Sequence, residues 1–134
     1  MKILISDGLA QKGIDLLSSV SEFEVEFKPG LSPEELKSAV SDAEALVIRS
    51  GTKVTEDVIA SASRLRVIGR AGIGLDNVDI AAASKRGIVV MNTPDGNVIT
   101  TAEHTVAMLM ALSRNIHQAT TSMKVGQWEK KKFL

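Results

Sequence analysis

The chain predicts an α/β fold: a flavodoxin-like open parallel five-stranded sheet with helices on both faces, followed by a long helix and an extended arm. Short apolar runs of strand type alternate with helical segments, which implies parallel pairing and right-handed crossovers. The hydrophobic 44% is mostly Val, Ile, Leu and Ala, with three Phe, one Trp and no Tyr, a mix suited to strands buried beneath helices. Helix starts and stops also fall between the runs, where crossovers need them.

Taken in order, Lys2 to Ser6 is the first strand. Gly8 to Val20 reads as a helix, with Leu9, Ile14, Leu16 and Leu17 on its buried side. Phe23 to Phe27 alternates Phe, Glu, Val, Glu, Phe, the period of a strand with one wet face, so it belongs near a sheet edge. Pro29-Gly30 turns the chain. In Ser32-Pro33-Glu34-Glu35, Ser32 caps a helix, Pro33 takes its first position and Glu35 closes a capping box. Ala45 to Ile48 is the next strand and runs into Arg49-Ser50-Gly51-Thr52. Thr55 caps a short helix to Ser61, Leu65 to Gly69 is the fourth strand, and Val78 to Arg86 is a helix stopped by Gly87. Ile88 to Met91 completes the five.

Beyond Asn97 the pattern changes. Val98 to Ile116 reads as one helix of about 28 Å, at 1.5 Å per residue. Its face of Val98, Ala102, Val106, Leu109, Met110, Ser113 and Ile116 needs a second subunit or a further domain to pack on. Trp128, in the arm, reads as an interface anchor.

Composition narrows the function. Sixteen Lys and Arg balance sixteen Asp and Glu, against a nucleic-acid partner. Without cysteine there is no disulfide framework and no thiolate chemistry. His104 and His117 fit no metal-ligand spacing, so no metal site is expected. Glu103 and His104 break the longest apolar stretch, so no membrane span is expected, and the start turns polar too quickly for a leader. A cytoplasmic location follows as the expectation. The run Glu129-Lys130-Lys131-Lys132 reads as a solvated end.

Ligands of open α/β sheets bind beyond the carboxyl ends of the strands. That rule gathers Asp7, Arg49-Ser50, Gly69 to Gly74 and Asn92 to Asn97 at one edge. Arg49 and Arg70 there suit a small carboxylate or phosphate, which a guanidinium meets with a planar fork. Gly72-Ile73-Gly74 admits three readings: a self-contained dinucleotide fingerprint, a plain tight turn, or a loop shaping a substrate site. Asn77 stands where the fingerprint would have its third glycine, and no acidic residue closes the following strand. A phospho-acceptor domain with the same sheet would carry an Asp after its third strand, where this chain has Arg49. Glu103 and His104, neighbours on a helix, point about 100° apart and form no compact dyad. His104 therefore reads as structural, and Asp76 and Asp79 as helix-start residues.

Three motifs in order, Arg49-Ser50-Gly51-Thr52-Lys53-Val54, Gly69 through Asp79, and Met91-Asn92-Thr93-Pro94-Asp95-Gly96-Asn97, resemble the D-2-hydroxyacid dehydrogenases, most of all their phosphoglycerate-oxidising branch. Thr101 to Thr105 and Lys124 to Glu129 fit as well. The resemblance implies a substrate-binding domain over residues 1–96. Over 97–134 it implies the first helix and dimerisation arm of a truncated NAD-binding domain. Arg49, Ser50, Arg70 and Asn97 would line the site for a small phosphorylated 2-hydroxy acid. Gly72, Ile73 and Gly74 would approach the nicotinamide of NAD, and residues 98–134 would form a homodimer. The activity implied is hydride transfer between NAD and C2 of 3-phosphoglycerate, in serine biosynthesis. The family's cofactor fingerprint and its catalytic Arg, Glu and His are not in this sequence, so no catalytic residue is expected here. The chain reads as an amino-terminal portion, inactive alone. The competing reading is a non-catalytic α/β module that binds small anions or dimerises.

Overall fold

The computed structural model describes residues 1–133 and divides into two compact units, one from Met1 to Gly96 and one from Asn97 onward. In the first unit the strands are β1 (Lys2–Ile5), β2 (Glu24–Phe27), β3 (Ala45–Ile48), β4 (Val67–Arg70) and β5 (Val89–Met91). The helices are α1 (Gln11–Ser18), α2 (Pro33–Val40), α3 (Glu56–Ser61) and α4 (Ile80–Lys85). All pairs are parallel, in the order β2-β1-β3-β4-β5.

That order fixes the layering. The chain moves one way from β1 to β2 and the other way from β2 onward. Right-handed crossovers therefore place the first helix on one face and the next three on the other. The side chains agree: Leu4, Leu46 and Ile68 pack with Leu36, Val40, Val58, Ile59 and Ala83 of α2 to α4. Ile3, Ile5 and Ala45 point to the opposite face and meet Leu9, Ile14 and Leu17 of the α1 region. The interior strand β1 is thus buried on both sides.

The alternating segment is an edge strand, β2, as its pattern requires. The capping box forms in full: Glu35 N donates to Ser32 Oγ, and the Ser32 amide donates to Glu35 Oε2 at 2.8 Å. Asp79 caps α4 by accepting from Ala82 N at 2.8 Å, and Gly87 ends that segment with φ +68°. Thr55 occupies the cap position of α3 without a side-chain bond.

Several expectations need correction. Leu16 is 70% exposed, because it sits about 200° round the helix from Ile14, away from the sheet. Strand β4 runs through Arg70, one residue further than expected, so Arg70 pairs opposite Ile48 inside the ladder. The long helix α5 is Val98–Ser113, not to Ile116. Asn115 adopts left-handed backbone at φ 51°, which Asn tolerates better than most residues, and breaks the run. The expected arm is itself largely helical: α6 spans Ile116–Lys124, and a 3₁₀ turn covers Lys130–Phe133. His104 is exposed. Leu134, last residue of the expected dimerisation segment, lies outside the described residues.

Candidate anion-binding site at the strand ends

Neighbouring strands β1 and β3 send their crossover helices to opposite faces. A crevice opens at such a switch point, beyond the carboxyl ends. Asp7 follows β1 there, Arg49 and Ser50 follow β3, and Arg70 ends β4. Parallel pairing brings the two arginines to one edge of the sheet from 21 residues apart in sequence.

The loop after β3 is held from two sides. On one side, Asp7 Oδ2 accepts from the Arg49 amide at 2.6 Å and the Thr52 amide at 3.0 Å. On the other, Asn77 Nδ2 donates to the carbonyls of Arg49 at 2.7 Å and Thr52 at 2.6 Å. Beneath them Ser6 Oγ and Thr52 Oγ1 share a buried bond of 3.0 Å. Gly51 is needed for room: a Cβ there would lie 2.5 Å from Asp7 Oδ1. Ser50 stays exposed at the tip, and Arg49 Nη1 reaches back to the Gly8 carbonyl at 3.3 Å.

The second loop is built around Arg70. Its Nε donates to Asn77 Oδ1 at 2.8 Å, and among the described residues no hydrogen bond engages its terminal Nη1 and Nη2. The guanidinium lies along the glycine turn, so a Cβ on Gly72 would meet Nη1 at 2.6 Å. Asn92 Nδ2 donates to the Ile73 carbonyl at 2.7 Å, and the Thr93 amide to the Gly72 carbonyl at 3.1 Å. These bonds tie the turn to the segment after β5. Two partly exposed cations thus stand over a fixed edge, suited to a small dianion such as a phosphorylated acid.

The same geometry tests the fingerprint reading of Gly72-Ile73-Gly74. A dinucleotide pyrophosphate needs open backbone followed directly by free helix amides. Here Arg70 fills the space over Gly72. The next helix, α4, starts only at Ile80, and its own Asp79 carboxylate accepts its first-turn amide. These residues do not fit a phosphate cradle. Ile73 is 38% exposed, free to touch a neighbouring apolar ring.

Asn97 lies in the second unit as the residue before α5, its carbonyl accepting from Thr101 N and Thr100 Oγ1. Glu103, His104 and His117 are exposed, and among the described residues no cluster could hold a metal ion. Nor is any described helix long and apolar enough to cross a membrane. Asn77 is the residue that sequence reasoning missed, having registered only as a missing glycine. The signal was its chemistry: an amide both accepts and donates, so it can link a cation to carbonyls. Asp7 was placed at the right edge but not recognised as the loop's acceptor.

The chain is 52% identical over 133 residues to D-3-phosphoglycerate dehydrogenase of Homo sapiens, covering 99% of this chain and 25% of that protein. It is 49% identical over 133 residues to D-3-phosphoglycerate dehydrogenase of a Synechocystis strain, covering 99% of this chain and 24% of that one. The chain therefore spans about a quarter of the length of the curated relatives it matches. Among solved structures, the NAD+-bound 3-phosphoglycerate dehydrogenase of Entamoeba histolytica superposes with a TM-score of 0.75 at 32% identity, over 85% of this chain and 39% of that chain. The family described as D-isomer specific 2-hydroxyacid dehydrogenase, catalytic domain, matches residues 3–128. With parallel sheet, paired arginines and glycine turn all inside that match, the chain belongs to the D-isomer specific 2-hydroxyacid dehydrogenases.

Proposed function

We propose that this chain supplies the substrate-recognition portion of an NAD-dependent D-3-phosphoglycerate dehydrogenase. The observation that carries this is the pair Arg49 and Arg70, set at adjacent strand ends, with the Arg70 terminal nitrogens unbonded among the described residues. The relatives' names supply the substrate class. Arg49, Ser50 and Arg70 bind and orient the phosphorylated acid. Ile73 and its flanking glycines form an apolar wall for the nicotinamide. The phosphates of NAD find no cradle among the described residues, so this chain's share of the work is positioning and electrostatics. Residues 98–134 form a homodimer contact, and the protein works in the cytoplasm.

The direct test is a titration of the 134-residue chain with 3-phosphoglycerate, followed by amide chemical shifts. Perturbations centred on residues 49–52 and 69–74 are expected. Shifts confined elsewhere, or none at millimolar ligand, would overturn the assignment. In the same preparation no NAD-dependent oxidation of 3-phosphoglycerate is expected. Turnover above blank, with the mass confirmed, would refute the division of labour. The module reading, binding without a dehydrogenase, predicts instead equal affinity for unrelated dianions such as sulfate.

A further inference from the structure

Two side chains, Asp7 and Asn77, take both the amides and the carbonyls of the same two residues, Arg49 and Thr52. Of the pair, only Asn77 also touches the other arginine, at 2.8 Å through Arg70 Nε. We propose that Asn77 is a positioning residue that aims Arg70 at the bound anion while fixing the loop that carries Arg49, an inference that rests on the anion-site reading above.

The chemistry admits few substitutes. One oxygen must accept from a cation, and one nitrogen must give its two hydrogens to two carbonyls. Aspartate keeps the acceptor and loses both donors. Glutamine has the groups but adds a methylene, at a site whose backbone is pinned by the Val54 amide bonded to the Asn77 carbonyl at 2.8 Å. Arginine can grip an anion side-on, through Nε and one terminal nitrogen, or end-on through both terminal nitrogens. With Nε committed to Asn77, the end-on fork is what faces the crevice. By bonding to both loops, Asn77 fixes how far apart the two guanidinium groups stand. That separation selects ligands whose two anionic groups match it.

A double-mutant cycle separates aiming from support. Variants Asn77→Ala, Arg70→Ala and the double variant are titrated with 3-phosphoglycerate as the probe, with circular dichroism melts alongside. Asn77→Ala is expected to weaken binding about tenfold in the parent chain, the loss of a charged hydrogen-bond geometry. In the Arg70→Ala background it is expected to cost less, because the part played through Arg70 is already gone and only the support of the Arg49 loop remains. The second readout is the Nε–H resonance of Arg70, identified by its absence in Arg70→Ala. It should be sharp in the parent chain, lost in Asn77→Ala and kept in Asn77→Asp. Equal losses with and without Arg70, or a resonance indifferent to Asn77→Ala, would overturn the proposal. Should Asn77→Ala fail to fold, the Asn77→Asp resonance decides: its persistence supports aiming and its loss refutes it. If the parent chain binds no 3-phosphoglycerate, the site reading falls, and the Arg70 resonance alone settles what Asn77 does.

Discussion

At the scale of single residues, Arg70 is held by one bond at Nε and leaves its charge outward. Replacing it with alanine deletes a charged partner, worth about 1.5–3 kcal/mol, or roughly ten- to a hundredfold in affinity for 3-phosphoglycerate. Calorimetric titration of Arg70→Ala measures this, and unchanged affinity would count against the site. Gly72→Ala makes a subtler test. The new methyl meets Nη1, the far end of a flexible side chain, so the guanidinium swings away rather than the backbone. The melting temperature should barely move while phosphoglycerate binding falls; the reverse result would make Gly72 a backbone residue only. At this scale the sequence was half legible. Arg49 and Arg70 stood out because cations at strand ends are few. Asn77 did not, since it reads only as a missing fingerprint glycine until its three partners are known.

At the scale of elements, α2 shows how local signals specify a helix. Ser32 Oγ and its amide both donate to Glu35 Oε2, and these bonds, hydroxyl first, hold the Glu35 carboxyl below its usual value. A depressed carboxyl stabilises the fold above its ordinary value, and the contribution fades as pH falls through the folded one. Urea melts of the parent and Glu35→Gln should therefore converge at acid pH and separate near neutrality. A constant offset would show that ionisation is not what Glu35 contributes. Ser32→Ala should cost about 1 kcal/mol at neutral pH, the usual worth of a cap. Helix α5 poses the opposite case. Ile99, Val106, Met108, Leu109 and Leu112 are all more than half exposed, and they point to several sides of the helix, not one. Self-association at micromolar concentration is the expected outcome in sedimentation, and Leu109→Glu should reduce it; a clean monomer would remove the dimer. The run was legible as helix, but its end was not. Arg114 and Asn115 look helical in a window, and only the left-handed backbone of Asn115 divides α5 from α6.

At the scale of the molecule, the order β2-β1-β3-β4-β5 does more than place Asp7 beside Arg49. The alternation of apolar runs made this sheet readable, and the wet face of β2 identified its edge. What no local pattern carried was the loop-to-loop bonding that joins residues 7, 49, 52, 70 and 77 across the sheet end. The strand order also has a bearing on synthesis. Each strand after the first pairs with one already made: β2 and β3 with β1, β4 with β3, β5 with β4. Once β1 has emerged, every new strand finds a partner already made. At about 5–20 residues per second, the first unit takes several seconds to emerge from a ribosome, longer than many domains need to fold. The sheet can therefore close while the chain is still growing, and the exposed apolar residues of α5 are made only after every strand of the sheet. A chain stopped at Gly96 should accordingly melt cooperatively by itself, and ribosome-bound chains should become protease-resistant soon after Met91 clears the tunnel.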